Sequence, residues 1–467
     1  MVFSSLIFLI IFLPITLLLY YVLPEKARNF WLLVVSLIFY SWGEPVYILL
    51  MVFSILLNYI SGLWLDRTEE TGKRKRILVT AVVINIGLLF VFKYADFTIG
   101  SYNLIFGKHV KLLELALPIG ISFYTFQAMS YVIDVYRKVV KGNKNLINFA
   151  TYITMFPQLI AGPIVRYKTV EKELRERKCT FDDFYQGVLR FTIGLGKKVL
   201  IANNVALVFR EISGTAPELL STSMAWLAVL AFTLQIYFDF SGYSDMAIGM
   251  GRMLGFHFLE NFDYPYESKS ITEFWRRWHI SLSTWFREYV YYPLGGNRKG
   301  MKRQIFNLFL VWFLTGLWHG ASWNFVLWGV YYAVILILEK VLLGKLLQKV
   351  PSILSRIYTI GAFMFGWAIF AMDDLLYRKA FFEAMFFHAK QDLTDKHTAY
   401  LLLSYGILMV SAIVGATSLP KKVVKHLLKH HKVIRSILEL IFVTIVMALS
   451  IAYIVSDTYN PFLYFRF

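Results

Sequence analysis

Two histidines stand among apolar and aromatic residues. His319 lies between Trp318 and Gly320 in WFLTGLWHGASWNFVLWG, residues 312–329, and His279 follows Trp278 in FWRRWHISLSTWFREYVYYPLGG, residues 274–296. The chemistry such a ring brings is proton transfer near neutral pH. An ionisable group at membrane depth is costly, so it faces a cavity or a bonded partner and marks function. A neutral histidine hydrogen-bonded inside a bundle fits the spacing of His319 equally well. Gly316 and Gly320 remove side-chain bulk, so backbone or substrate can approach closely. Asn324, five residues on, is placed to orient the ring.

A third segment, QIYFDFSGYSDMAIGMGRMLGF, residues 235–256, sets Gln235, Asp239, Ser241, Ser244, Asp245 and Arg252 among apolar residues. Buried carboxylates need partners, and Arg252 and the arginines around His279 are the candidates. Asp239 and Asp245 either serve a proton path or brace the bundle. GMGRMLG has no preceding strand, which argues against a dinucleotide loop. His426, His430 and His431 have a helical metal-ligand spacing but sit in a lysine-rich run that reads as a solvated linker, and no metal is expected. GASWN is not a nucleophile elbow.

The elements that hold these residues are membrane helices. Of 467 residues, 58% are hydrophobic and only 17% are charged, too little polar surface for a soluble protein of this size. Apolar runs recur at 2–23, 46–65, 77–92, 117–136, 223–240, 304–317, 325–338, 357–371, 401–416 and 434–454. Some fall short of the roughly 20 residues of a straight span. Backbone in lipid must be satisfied within each segment, and barrel alternation is absent. The reading is an all-α polytopic integral membrane protein with about ten to thirteen membrane helices plus re-entrant and amphipathic ones. The first run lacks a basic n-region and a cleavage site, so it is expected to be retained as a span. The single cysteine, Cys179, excludes an intrachain disulfide.

Residues 151–165 are short, broken by Pro157, Gly162 and Pro163, and suit a re-entrant segment. Residues 184–204 carry Arg190, Lys197 and Lys198 and are expected partly in the interface, with their basic heads snorkelling. Ser270 and Glu273 form a capping box that starts a helix near Ile271. Ile271, Phe274, Trp275, Trp278, Leu282, Trp285 and Tyr289 make one apolar stripe, with Arg276, Ser283 and Arg287 roughly opposite, and Pro293 ends the helix. Such a basic amphipathic helix could also simply lie on the membrane surface.

The net charge is +18. The basic residues cluster beside spans, which points to topology rather than nucleic acid. With every cluster cytoplasmic, both termini fall on the extracytoplasmic side.

Residues 274–300 and 314–329 resemble the two signature segments of the membrane-bound O-acyltransferases, and residues 237–256 and FPQLIAGPIVRY, residues 156–167, resemble further motifs of that family. The similarity runs along the whole chain, through the tail NPFLYFRF, and is greatest to the bacterial polysaccharide branch. It implies one membrane domain over residues 1–467, with helices around a tunnel, in a bacterial cytoplasmic membrane. It places the family's invariant histidine at His319 and its companion at His279, with Trp278, Trp318, Asn324, Arg276, Arg287, Asp239 and Asp245 in support.

It also implies the activity. An acetyl group, with acetyl-CoA as the presumed co-substrate and no bound cofactor, would pass outward for O-acetylation of a cell-envelope or extracellular polysaccharide. An extracytoplasmic SGNH or serine-hydrolase-like partner would complete the transfer. On this reading His319 is the base, and His279 positions the thioester or stabilises developing charge. Arg276, Arg277, Lys299 and Lys302 could attract CoA phosphates, and topology explains them equally well. Related tails are thought to carry the acyl group on a tyrosine, here Tyr464 in the extracytoplasmic tail of residues 456–467; an aromatic anchor at the interface is the alternative. The competing functions are D-alanyl or other acyl transfer to a cell-wall polymer, acylation of a protein or lipid, a proton-coupled transporter, and a subunit that only recruits a transferase.

Overall fold

The structure, a computed structural model, describes residues 1–386, 392–456 and Leu463. Among these residues the regular structure is helical and there is no strand. Each of the ten apolar runs falls on a helix. Among the described residues, eight helices are long and apolar enough to cross a membrane, including Ile48–Arg67, Thr71–Phe106 and Thr222–Met253. Others are shorter or more polar. The first run yields Ile7–Val22, and Gly300–His319 begins with the basic residues Lys302 and Arg303.

Two segments depart from the sequence reading. Residues 184–204 lie within Phe181–Ser213, a continuous helical stretch of 33 residues that is one of the eight candidate spans among the described residues. Lys198 is buried there and does not snorkel, because it has an acidic partner. The helix expected to run from Ile271 to Pro293 is broken at Trp278, which is extended, and at His279, whose φ of +45° is left-handed. Bonds to Asn261 hold the break open. Its carbonyl takes the Ile280 N–H at 3.0 Å, and its side-chain oxygen takes the Ser281 N–H at 3.2 Å.

The chain divides into two compact units. The first comprises Met1–Phe191 and Ser244–Glu260. It contains the proline- and glycine-broken segment, where a helix ends at Thr154 and a single turn spans Phe156–Leu159. Residues 149–167 are all buried, which non-helical backbone at membrane depth requires.

The second unit comprises Thr192–Tyr243 and Asn261–Phe467. Its site-bearing elements are α1 (Thr222–Met253, as far as Tyr243), α2 (Ile271–Arg277), α3 (Ile280–Phe286), α4 (Gly300–His319), α5 (Trp323–Leu338) and α6 (Ser352–Ala371). α4 and α5 meet backbone to backbone. A methyl group on Gly316 would strike the Phe325 carbonyl oxygen and lie 3.1 Å from the Gly329 Cα, and one on Gly320 would strike the Phe325 ring. The glycines beside His319 therefore serve helix packing, as small residues do between membrane helices.

Candidate active site

α2 starts where the capping box places it. The Ser270 hydroxyl accepts the Glu273 N–H at 3.0 Å. Its first two backbone donors are met from α5's C-terminal continuation: the Glu339 carboxylate accepts the N–H of Ile271 at 2.7 Å and that of Thr272 at 2.8 Å. Seven residues later the chain turns through His279, the residue before α3. A non-glycine side chain in the left-handed region is uncommon, and such positions cluster at functional sites.

His279 is 1% exposed. Its Nδ1 lies 3.1 Å from the Asn261 side-chain oxygen, and Phe240 of α1 packs edge-on to its ring with centroids 4.7 Å apart. Burial without a charged partner pushes the imidazole down, to about 3, so the ring is neutral near pH 7.

His319 closes α4 and is also buried. Three rings surround it: Trp328 at 4.9 Å, Trp318 at 5.1 Å and Phe370 at 5.5 Å between centroids. Trp318 also faces His279 at 5.9 Å. The two histidines, 40 positions apart in the chain, thus flank one indole. Behind them, Trp275 packs on Trp312 and Tyr332, and Trp278 packs on Trp367. This dense aromatic wall contains buried donors with no acceptor among the described residues, including the indole N–H groups of Trp275 and Trp328.

Other expected residues divide sharply. Asn324 donates to the backbone carbonyl of Phe370 at 3.0 Å, and the Phe370 ring packs on His319. Arg276 and Arg287 are exposed, as are Lys299 and Lys302; Arg277 pairs with Glu273 at 2.8 Å. Within the first unit, Asp245 is held by Arg190 at 2.6 Å, and Arg190 also reaches Glu260. Within the second, Asp239 is paired with the buried Lys198. Neither carboxylate takes the partner expected for it: the cations come from the Phe181–Ser213 helix rather than from Arg252 or the arginines near His279. Each aspartate is thus held in an ion pair. Asp239 has a further contact, accepting the Leu463 N–H at 2.8 Å. Tyr464 and the remaining tail after Ser456 lie outside the described residues.

Asn261 and Glu339 are absent from the sequence reading. Asn261 precedes His279 by 18 residues and Glu339 follows Ile271 by 68. No periodicity connects either pair, although a lone acid closing an apolar helix at Glu339 is a signal that could have been followed. Among the described residues no group of three His, Cys, Asp or Glu side chains is arranged to hold a metal ion.

The model of the membrane-bound O-acyltransferase family matches residues 35–372. The chain is 41% identical to a protein of Pseudomonas putida named probable alginate O-acetylase AlgI, over the full length of both. It is 44% identical to the Pseudomonas aeruginosa protein of that name, over 89% of this chain and 81% of the relative. It is 34% identical to a Helicobacter pylori peptidoglycan O-acetyltransferase, over 80% and 78%.

Proposed function

The chain belongs to the membrane-bound O-acyltransferase family, and from that premise we propose that it moves an acetyl group from cytoplasmic acetyl-CoA across the membrane for O-acetylation of a cell-envelope or extracellular polysaccharide. It is a multi-pass membrane protein and an O-acyltransferase. Its resemblance to relatives named for alginate and peptidoglycan acetylation supports a polysaccharide acceptor. The basic clusters beside the spans support a cytoplasmic-membrane protein with both termini outside.

The observation that carries the reading is the pair of buried imidazoles on either side of Trp318. Acyl transfer from a thioester to a hydroxyl needs a base for the hydroxyl proton and a means of steadying charge on the thioester oxygen. Two buried histidines in an aromatic wall can divide those tasks.

The tail supplies the route. Leu463 donates to Asp239, and the next residue on α1, Phe240, packs on His279. That contact supports Tyr464, one residue beyond Leu463, as the first acceptor. A tyrosyl ester has a phenol leaving group and so stays activated for a serine on an extracytoplasmic serine-hydrolase-like partner.

The test is purified protein in nanodiscs incubated with radiolabelled acetyl-CoA, beside His319→Ala and Tyr464→Phe. Covalent label on the wild type that both changes abolish is expected. Label that survives Tyr464→Phe places the carrier elsewhere. Absence of label and of CoA release, where D-alanyl or another thioester gives label, replaces the donor.

A further inference from the structure

Asn261 is fully buried, and its side-chain oxygen is shared by three groups. Ser281 approaches with its backbone N–H at 3.2 Å and its hydroxyl at 2.9 Å, and His279 approaches with Nδ1 at 3.1 Å. A backbone N–H can only donate, so the atom facing it is the oxygen of the carboxamide and not its nitrogen. The Ser281 hydroxyl also lies 3.4 Å from Nδ1 of His279, but the Asn261 oxygen at 2.9 Å is its nearer acceptor. An amide oxygen only accepts, so the contact of Nδ1 with Asn261 is a hydrogen bond when Nδ1 carries hydrogen. A neutral imidazole has one N–H. The lone pair is therefore on Nε2, which is buried and has no hydrogen-bond partner among the described residues. The ring is also fixed in place, by its left-handed backbone, by the Ile280 N–H bond to the Asn261 carbonyl and by Phe240.

We propose that Asn261 is a positioning residue, which holds His279 as the Nδ1–H tautomer so that Nε2 accepts the proton of the acyl-accepting hydroxyl. The proposal rests on the acyl-transfer reading above and reverses the division of labour expected from the sequence. Held this way, His279 has no N–H left for the thioester oxygen, so it serves as base, and the oxyanion is left to donors on the His319 side. In the step, the hydroxyl oxygen bonds to the acyl carbon as its proton passes to Nε2. The carbon–sulfur bond breaks, and the leaving thiolate takes the proton back from Nε2. The Asn261 oxygen keeps the Nδ1–H bond throughout. A carboxamide suits this role because it orients the ring without the full negative charge that would trap the imidazolium.

The experiment uses the full-length protein, labelled with 15N-histidine, in nanodiscs near pH 7. The difference between wild type and His279→Gln isolates the two ring nitrogens. A protonated Nδ1 and an unprotonated Nε2 are expected. Asn261→Asp, which keeps the acceptor oxygen, should preserve the protonated Nδ1. Asn261→Leu should shift the ring to the Nε2–H form or to an average of the two. It should also lower kcat for acyl transfer by about 10²–10³-fold while leaving KM for the thioester within about twofold. An Nε2–H ring in the wild type overturns the proposal, as does a tautomer unmoved by Asn261→Leu. A moved tautomer with unchanged kcat removes the base role. Wild type that transfers no acyl group from any thioester defeats the acyl-transfer reading instead, and the spectrum still decides the tautomer.

Discussion

The carboxylate of Glu339 accepts the backbone N–H of Ile271 at 2.7 Å across 68 residues of sequence. The same carboxylate takes the Thr272 N–H, the Thr272 hydroxyl at 2.6 Å and the Tyr358 hydroxyl at 3.2 Å. The first N–H groups of a helix have no partner inside it. A buried acid from one long apolar helix thus anchors the start of the short helix that leads to His279. Glu339→Ala strands those donors and should lower unfolding stability by about 2–3 kcal/mol, with a matching loss of acyl transfer. Thermal unfolding in nanodiscs measures this; a variant as stable and active as wild type would show that α2 is held by its aromatic packing alone.

Asp239 joins a buried ammonium to the tail, through Lys198 on one side and Leu463 on the other. Asp239→Leu alone removes the counter-charge of Lys198 and should cost about 3–5 kcal/mol. Adding Lys198→Met should recover most of that stability, since a buried ion pair and an apolar pair of similar volume are often near equal. Acyl transfer should stay at least about tenfold down in the double variant because the tail loses its anchor. Full activity there would dissociate Asp239 from the tail.

Gly316 sits where α4 and α5 touch, with no room for a methyl group. Gly361 on α6 has nothing within 4 Å of the corresponding position. Gly316→Ala should destabilise by about 1–3 kcal/mol and displace His319, three residues on, whereas Gly361→Ala should leave both stability and activity unchanged. Equal behaviour of the two variants would remove backbone contact as the reason for glycine at position 316.

His279 is displaced downward from its ordinary value of 6.5 to about 3 by burial, and among the described residues no carboxylate is bonded to it. Its folded value lies below its unfolded value, so below pH 6.5 the unfolded chain binds the proton more readily than the folded one. The contribution to stability is complete above about pH 6.5 and declines as pH falls toward 3. Melting temperature against pH should therefore fall less steeply in His279→Gln than in wild type over that window. Parallel curves would mean that the ring reaches solvent.

Much of the site was legible in one dimension because its signals are local. The capping box needs only Ser270 and Glu273, three positions apart, and it forms as expected. A histidine inside an apolar run signals itself by its cost, and both His279 and His319 are buried in the aromatic core. What failed depended on partners distant in sequence. Stripe periodicity carried one helix through His279 because it takes no account of Asn261, whose bonds to Ile280 and Ser281 turn the chain there. Asp239 and Asp245 pair with Lys198 and Arg190, 41 and 55 positions earlier in the chain, rather than with Arg252 or the arginines around His279.

The sequence by itself determined the helical class, the apolar runs that fall on helices and the residue types able to move a proton. Hydropathy and backbone satisfaction act segment by segment and leave their record in every stretch of chain. Only the tertiary structure decided which side chain meets Nδ1 of His279, which cation neutralises each aspartate and which acid caps α2. Those choices depend on distances of about 3 Å between residues tens of positions apart, and directional bonds of that length form only after the helices have packed.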